Sequence, residues 1–118
     1  MSLVIDADTL QIIITRGDDQ EIRFTVTDEN DVVVDVSGAT VAKFTVKRDP
    51  ESAEEFQKTI GSGIDMTSAG SGLIDVTIDA ADTASLAGRY EYDLEILTAA
   101  SKINTLTQGI FFVKRDIT

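Results

Sequence analysis

Three carboxylates spaced two apart, Glu91, Asp93 and Glu95, would share one face of an extended strand. Two acids on one face are the raw material of glycoside hydrolysis, one protonating the leaving oxygen and the other acting as base or nucleophile. That chemistry needs a concave site and one carboxyl with a raised pKa, and a flat strand face supplies neither. A second acidic group, Asp28, Glu29 and Asp31, joined by Asp18 and Asp19 from an adjacent loop, carries the oxygens that calcium gathers. It lacks the ordered spacing and central Gly of an EF-hand loop. Asp28, Glu29 and Asp31 are the calcium candidates, set against acidic loops that a chain of charge −11 shows without any metal. Tyr90 and Tyr92 could stack a sugar, but both fall on the apolar side of their alternation. There a buried ring with its hydroxyl bonded to backbone is the commoner outcome. Arg16-Gly17-Asp18 matches the tripeptide of integrin ligands and equally an ordinary strand-entry turn.

What is missing narrows the chemistry further. The 118 residues include no Cys and no His. Disulfides, thiol nucleophiles and Cys-ligated zinc or iron–sulfur sites are excluded, and the commonest general base is absent. No enzyme and no cofactor are expected. Ten Lys and Arg stand against 21 Asp and Glu; this disfavours nucleic acid, whose phosphates need clustered positive charge. No apolar run approaches a membrane span and no basic start of a signal peptide is present, so no membrane partner is expected. Hydrophobic residues at 42% and charged residues at 26% are globular values. Residues 1–118 read as a single domain.

These residues must be positioned by strands. Residues 3–8 and 10–15 are β-prone, and Ile12-Ile13-Ile14 suggests a strand covered on both faces or an edge pressed on a neighbour. Residues 21–27 alternate, with Ile22, Phe24 and Val26 inward and Thr27 outward. Val32-Val33-Val34 reads as the returning strand of a hairpin. Ala42, Phe44 and Val46 mark the next strand, stopped at Asp49-Pro50. Residues 51–55 read as a charged loop or one helical turn, and residues 56–60 as a short strand. Ile74, Val76 and Ile78 alternate again. Asp79 with Asp82 then opens a short helical run that Gly88 closes. Leu86 plugs the core beneath it, and Tyr90, Tyr92, Leu94 and Ile96 face inward beyond. Leu86, Gly88, Tyr90 and Tyr92 thus form a structural corner where the chain crosses between sheets. Gly109 inside the last long strand predicts a bulge or a close backbone approach. Seven to nine short strands at this spacing predict an all-β antiparallel sandwich with one short helical turn at the inter-sheet corner.

One motif order runs through Arg16-Gly17-Asp18, residues 22–28, 34–40, 44–47 and 72–78, Asp82-Thr83, residues 86–95, 105–111 and 113–118. This order resembles the small immunoglobulin-like proteins of tailed bacteriophages and prophages, including the N-terminal domain of siphophage baseplate upper proteins. The most specific parts are Leu-Ala-Gly-Arg-Tyr-Glu-Tyr-Asp-Leu over 86–94 and the Asp-Ile-Thr ending. The likeness spans the chain from about Thr15 onward. One departure is the acidic loop at 28–31, where a Gly-containing turn would be typical. The resemblance implies an immunoglobulin-like β-sandwich without catalytic residues. It implies a virion structural part of baseplate, tail or fibre, made in the bacterial cytoplasm and docking on other phage structural proteins or on its own copies as a homo-oligomer. The alternative from another class is a host-surface or carbohydrate-binding sandwich module.

Overall fold

Alternating side chains decide the architecture. The structure, a computed structural model, describes residues 4–5, 11–28, 30–98 and 102–115. Its strands are β1 Val4–Ile5, β2 Gln11–Thr15, β3 Gln20–Thr27, β4 Val41–Lys47 and β5 Glu54–Ile60. They continue with β6 Gly63–Asp65, β7 Leu73–Ile78, β8 Gly88–Leu97 and β9 Ile103–Lys114. A 3-10 turn covers Ala69–Ser71, and a single helical turn, α1, covers Ala80–Thr83. The hydrogen-bonded order is β1-β3-β7-β6-β5-β4-β8-β9-β2. The ribbon folds over into an immunoglobulin-like sandwich. One leaf holds β1, β3 and β7; the other holds β5, β4, β8, β9 and β2. Between them β6 pairs parallel with β5 and antiparallel with β7, so backbone bonds carry across the fold.

The inward faces are the alternating ones. Ala42, Phe44 and Val46 of β4, Ile74, Val76 and Ile78 of β7, and Tyr90, Tyr92, Leu94 and Ile96 of β8 are all buried. Phe44 sits at the centre. Its ring lies 6.2 Å from Phe24 of the opposite leaf, 5.5 Å from Tyr92 in a stacked pair, and 6.2 Å edge-on from Phe111. Such ring pairs add to what area burial alone contributes, and here the Phe24–Phe44 pair binds one leaf to the other.

Several expectations are corrected. Val32-Val33-Val34 does not form a strand; a single bridge joins Thr27 to Val33. The cause is local: Asp28 Oδ1 accepts from the N–H groups of Asn30 and Val32 at 2.8 and 3.1 Å, so the loop closes on its own side chain. Thr27, expected outward, is buried. The bulge lies not at Gly109, which pairs in register with Tyr92, but at Leu106, skipped as Leu94 pairs Thr107 and Glu95 pairs Thr105. Residues 54–55, expected in a charged loop or one helical turn, already belong to β5. Of residues 3–8, Val4–Ile5 is strand and the rest lie outside the described residues. Among the described residues two pairings are parallel, β2 with β9 and β5 with β6.

Candidate interaction surface

The corner between β7 and β8 is held by side chains from four segments. Asp79 donates its N–H to Asp82 Oδ2 at 2.7 Å, and Asp19 Oδ1 accepts from Ala80 N–H at 2.8 Å. Both place carboxylates at the start of α1, where amide N–H groups are otherwise unsatisfied. Thr83 Oγ1 accepts from Gly17 N–H at 3.0 Å, which ties the Arg16-Gly17-Asp18 turn to the corner. Gly17 takes φ 84°, and Asp18 donates back to the Thr15 carbonyl, so this tripeptide is a strand-connecting turn. Gly88 does not close α1. The turn ends at Thr83, and Gly88 opens β8 with φ 93°, a conformation that a side chain would strain.

Leu86 is buried beneath the corner and Tyr90 lies beyond it, 2% exposed. The Tyr90 hydroxyl accepts from Ala87 N–H at 3.2 Å and from Arg48 Nη2 at 3.1 Å. The Arg48 guanidinium also stacks 4.2 Å above the Tyr90 ring. Buried ring, satisfied hydroxyl and covering cation together make a structural corner and no sugar platform.

Sequence reading missed the buried cation. Lys58 of β5 pairs with the buried Phe44, so its side chain enters the sandwich, and the residue is 7% exposed. Its Nζ reaches Asp82 at 2.6 Å and Asp79 at 3.4 Å, joining one leaf to the helical turn that follows the other. A Cβ at Gly63 would collide with the Lys58 stem, which explains a glycine there at φ 105°. The signal was present. Phe56, Lys58 and Ile60 share one parity, so an ammonium on an apolar face had to find carboxylates.

Acidic groups mostly serve their own backbone. Asp35 accepts from Ser37 Oγ and N–H, and Asp65 from Thr67 Oγ1 and N–H. These bonds, the hydroxyl's first, hold both carboxyls below their ordinary range. Asp49 similarly accepts from Glu51 N–H at 2.9 Å. The calcium set does not assemble as expected. Asp18 and Asp19 precede β3 and Asp28 and Asp31 follow it, so an eight-residue strand separates them by roughly 25 Å. Asp28 Oδ1 is committed to two amides, and Glu29 lies outside the described residues. Among the described residues no group of three or more His, Cys, Asp or Glu could hold a metal ion.

Glu91, Asp93 and Glu95 face outward from β8 opposite Lys47, Thr45 and Lys43 of β4. A shallow pocket of about 410 Å³ lies here, with Thr45, Lys47, Asp93 and Gln108 among its lining. The one ring at its wall, Tyr92, is 4% exposed, so no aromatic platform faces a sugar. Burial, then the neighbouring Glu95, pushes the Asp93 carboxyl up, against the pull of Lys47. Its charged form is thus disfavoured in the folded state. The protonated form's contribution is complete below the unfolded pKa of about 3.9 and is lost as pH rises through the folded value. Asp93→Asn should therefore raise the melting temperature by about 2 °C at pH 7, a small gain because the group is half-solvated. The gap to the parent should close near pH 4. An equal gap at both pH values would show that charge is not the cause.

Beyond this charged face the sheet changes character. β2 is QIIIT and β9 is INTLTQGIFFVK, so 17 strand residues, five and 12, carry one charge, Lys114. The chain as a whole is 26% charged, and four charges would be expected in that length. Register places Ile13 beside Phe112 and Arg89, all on the outward side. Ile13 is 56% exposed, and Phe112 and Ile110 are half-buried. The Ile12–Ile14 run is thus an edge and not a strand covered on both faces: Ile14 is buried and Ile13 is not. Among the described residues β2 pairs with β9 alone. Arg16, Lys114 and Arg115 lie at one end of this strip, and Arg89 lies in the row of Ile13, one strand beyond Phe112.

No family model matches the chain, and no curated protein matches it. Among solved structures it is similar to CopC from Methylosinus trichosporium OB3b. The TM-score is 0.57 and the identity 10%, over 98% of this chain and 97% of that one. It is also similar to the fibronectin(III)-like modules of CbhA from Clostridium thermocellum, at TM-score 0.47 and 10% identity over 96% of each chain. At 10% identity the likeness to CopC shows a shared fold alone. The chain is an immunoglobulin-like, all-β sandwich.

Proposed function

We propose that this chain is a structural part of a tailed-phage or prophage particle, in baseplate, tail or fibre, that acts by docking on other particle proteins. Its working surfaces are strand edges and loops, and it performs no chemistry. The observation that carries the reading is the charge-poor β2–β9 strip, with Lys114 its one charge and Ile13 exposed, on a chain of charge −11. Folded proteins that stay apart protect such edges with charge or Pro, and β2 has neither. The motif order through residues 86–95 supports the phage source. The corner locked by Lys58 and Tyr90 suits a scaffold that presents surfaces without changing shape.

The test is co-expression with the proteins encoded by the flanking genes. At least one particle protein should co-purify with the chain at physiological salt. Flanking genes that encode no particle proteins, or a chain that purifies alone from every combination, would overturn the reading.

A further inference from the structure

We infer that two copies of this chain join through β2, pairing antiparallel about Ile13 so that the larger leaf runs on across a two-fold axis. This rests on reading the β2 edge as a docking surface, and it names the occupant: a second copy.

The first argument is backbone geometry. Arg16 donates its N–H to the Lys114 carbonyl. Along a strand, successive residues turn their N–H and C=O groups to opposite sides. Ile14 therefore bonds toward β9, while Ile13 and Thr15 aim their amides away from it. An antiparallel strand laid on that side would receive them, extending the sheet by the usual route of β-augmentation.

The second argument is charge. Each copy carries −11, so copies repel wherever acids meet. A two-fold contact places one patch against itself and must therefore be a patch without net charge. The outer face over Glu91, Asp93 and Glu95 fails this requirement, and so does the loop at Asp28 and Asp31. The β2 strand meets it, since Ile13 faces Ile13 and no ionised side chain lies in the strand. The flanking cations are no obstacle. Centred on Ile13, the two Arg16 residues stand six steps apart, roughly 20 Å. That exceeds the Debye length of roughly 10 Å at ordinary salt.

The third argument sets the strength. A five-residue strand with Ile13 at its centre and Phe112 and Ile110 half-buried beside it makes a short seam, so the dimer is weak and reversible. Salt has a diagnostic sign here. Screening the −11 on each copy strengthens a seam made of apolar side chains and backbone bonds. It would weaken a contact made by the Arg16 and Lys114 cations with acids.

Sedimentation velocity on the isolated chain over a concentration series, at low and high salt, tests this directly. A monomer–dimer equilibrium that tightens with salt is expected. Ile13→Lys should weaken it at least about tenfold, since it removes an apolar burial on each side and sets two charges face to face. Because Ile13 already faces solvent, its urea midpoint should stay at the parent value, and Ile13→Val should retain the dimer. Amide exchange at Ile13 and Thr15 should slow as concentration rises. A chain that stays monomeric throughout overturns the seam, as does a dimer indifferent to Ile13→Lys or loosened by salt. Protection of these amides only after a particle protein is added would overturn it too, while leaving the assembly role standing.

Discussion

Tyr90→Ala should lower the stability of the sandwich by about 3–5 kcal/mol, the cost of removing a large aromatic side chain from a packed core. The ring is 2% exposed, lies directly after the crossover, and holds Ala87 N–H and Arg48 on its hydroxyl. Its loss opens a cavity under the corner and leaves Ala87 N–H without its acceptor, while the exposed Arg48 keeps its bond to the Arg89 carbonyl. Tyr90→Phe separates the two contributions. It keeps the ring and deletes the oxygen, so it should cost about 1–2 kcal/mol, the value of a part-buried hydrogen-bond acceptor. Urea unfolding with an unchanged m-value measures both. An alanine variant with the parent midpoint would refute the corner.

The second large effect belongs to the clamp across the leaves. Asp82→Ala should cost about 3–4 kcal/mol, because it leaves the Lys58 ammonium 7% exposed with only Asp79 at 3.4 Å, and removes the acceptor of Asp79 N–H. Lys58→Met should cost only about 1 kcal/mol. An unbranched apolar chain can fill the channel under Gly63, and Asp82 keeps both its amide partner and some contact with water. The order of the two variants is the test. If Lys58→Met proves the more damaging, the stem's packing outweighs the charge.

The parts of this fold that were legible in the sequence are those set by period. Ile74, Val76 and Ile78, and Tyr90 through Ile96, announce their inward faces by strict alternation, and the helical turn announces itself by Asp79 and Asp82. Failures came where a local bond or a distant partner decided. The valines at 32–34 have every β preference, yet the Asp28 carboxylate captured Val32 N–H and Gly72 O took Val26 N–H, so only Asp28 N–H to Val32 O and Val34 N–H to Val26 O remain of a ladder. Asp18 and Asp28 look like neighbours along the chain, but the intervening strand sets them at opposite ends of β3. Lys58 could be read only once the parity of Phe56 and Ile60 was taken to include it. The edge at β2 was half legible: three isoleucines gave the choice between a covered strand and an edge, and only pairing with β9 decides it.

That pairing sets a timetable for synthesis. Gln11 finds its register beside Ile110, roughly a hundred residues later in the chain, so contact order at this seam is near the maximum that such a length allows. On a ribosome, β2 is made early and can be docked only after β9 emerges. Until then Ile12, Ile13 and Ile14 are an uncharged apolar segment without a native partner. Such a segment is what chaperones hold and what aggregates when crowded. Expression at low temperature or slow induction should favour the soluble form, and insoluble material should be enriched in chains truncated before β9.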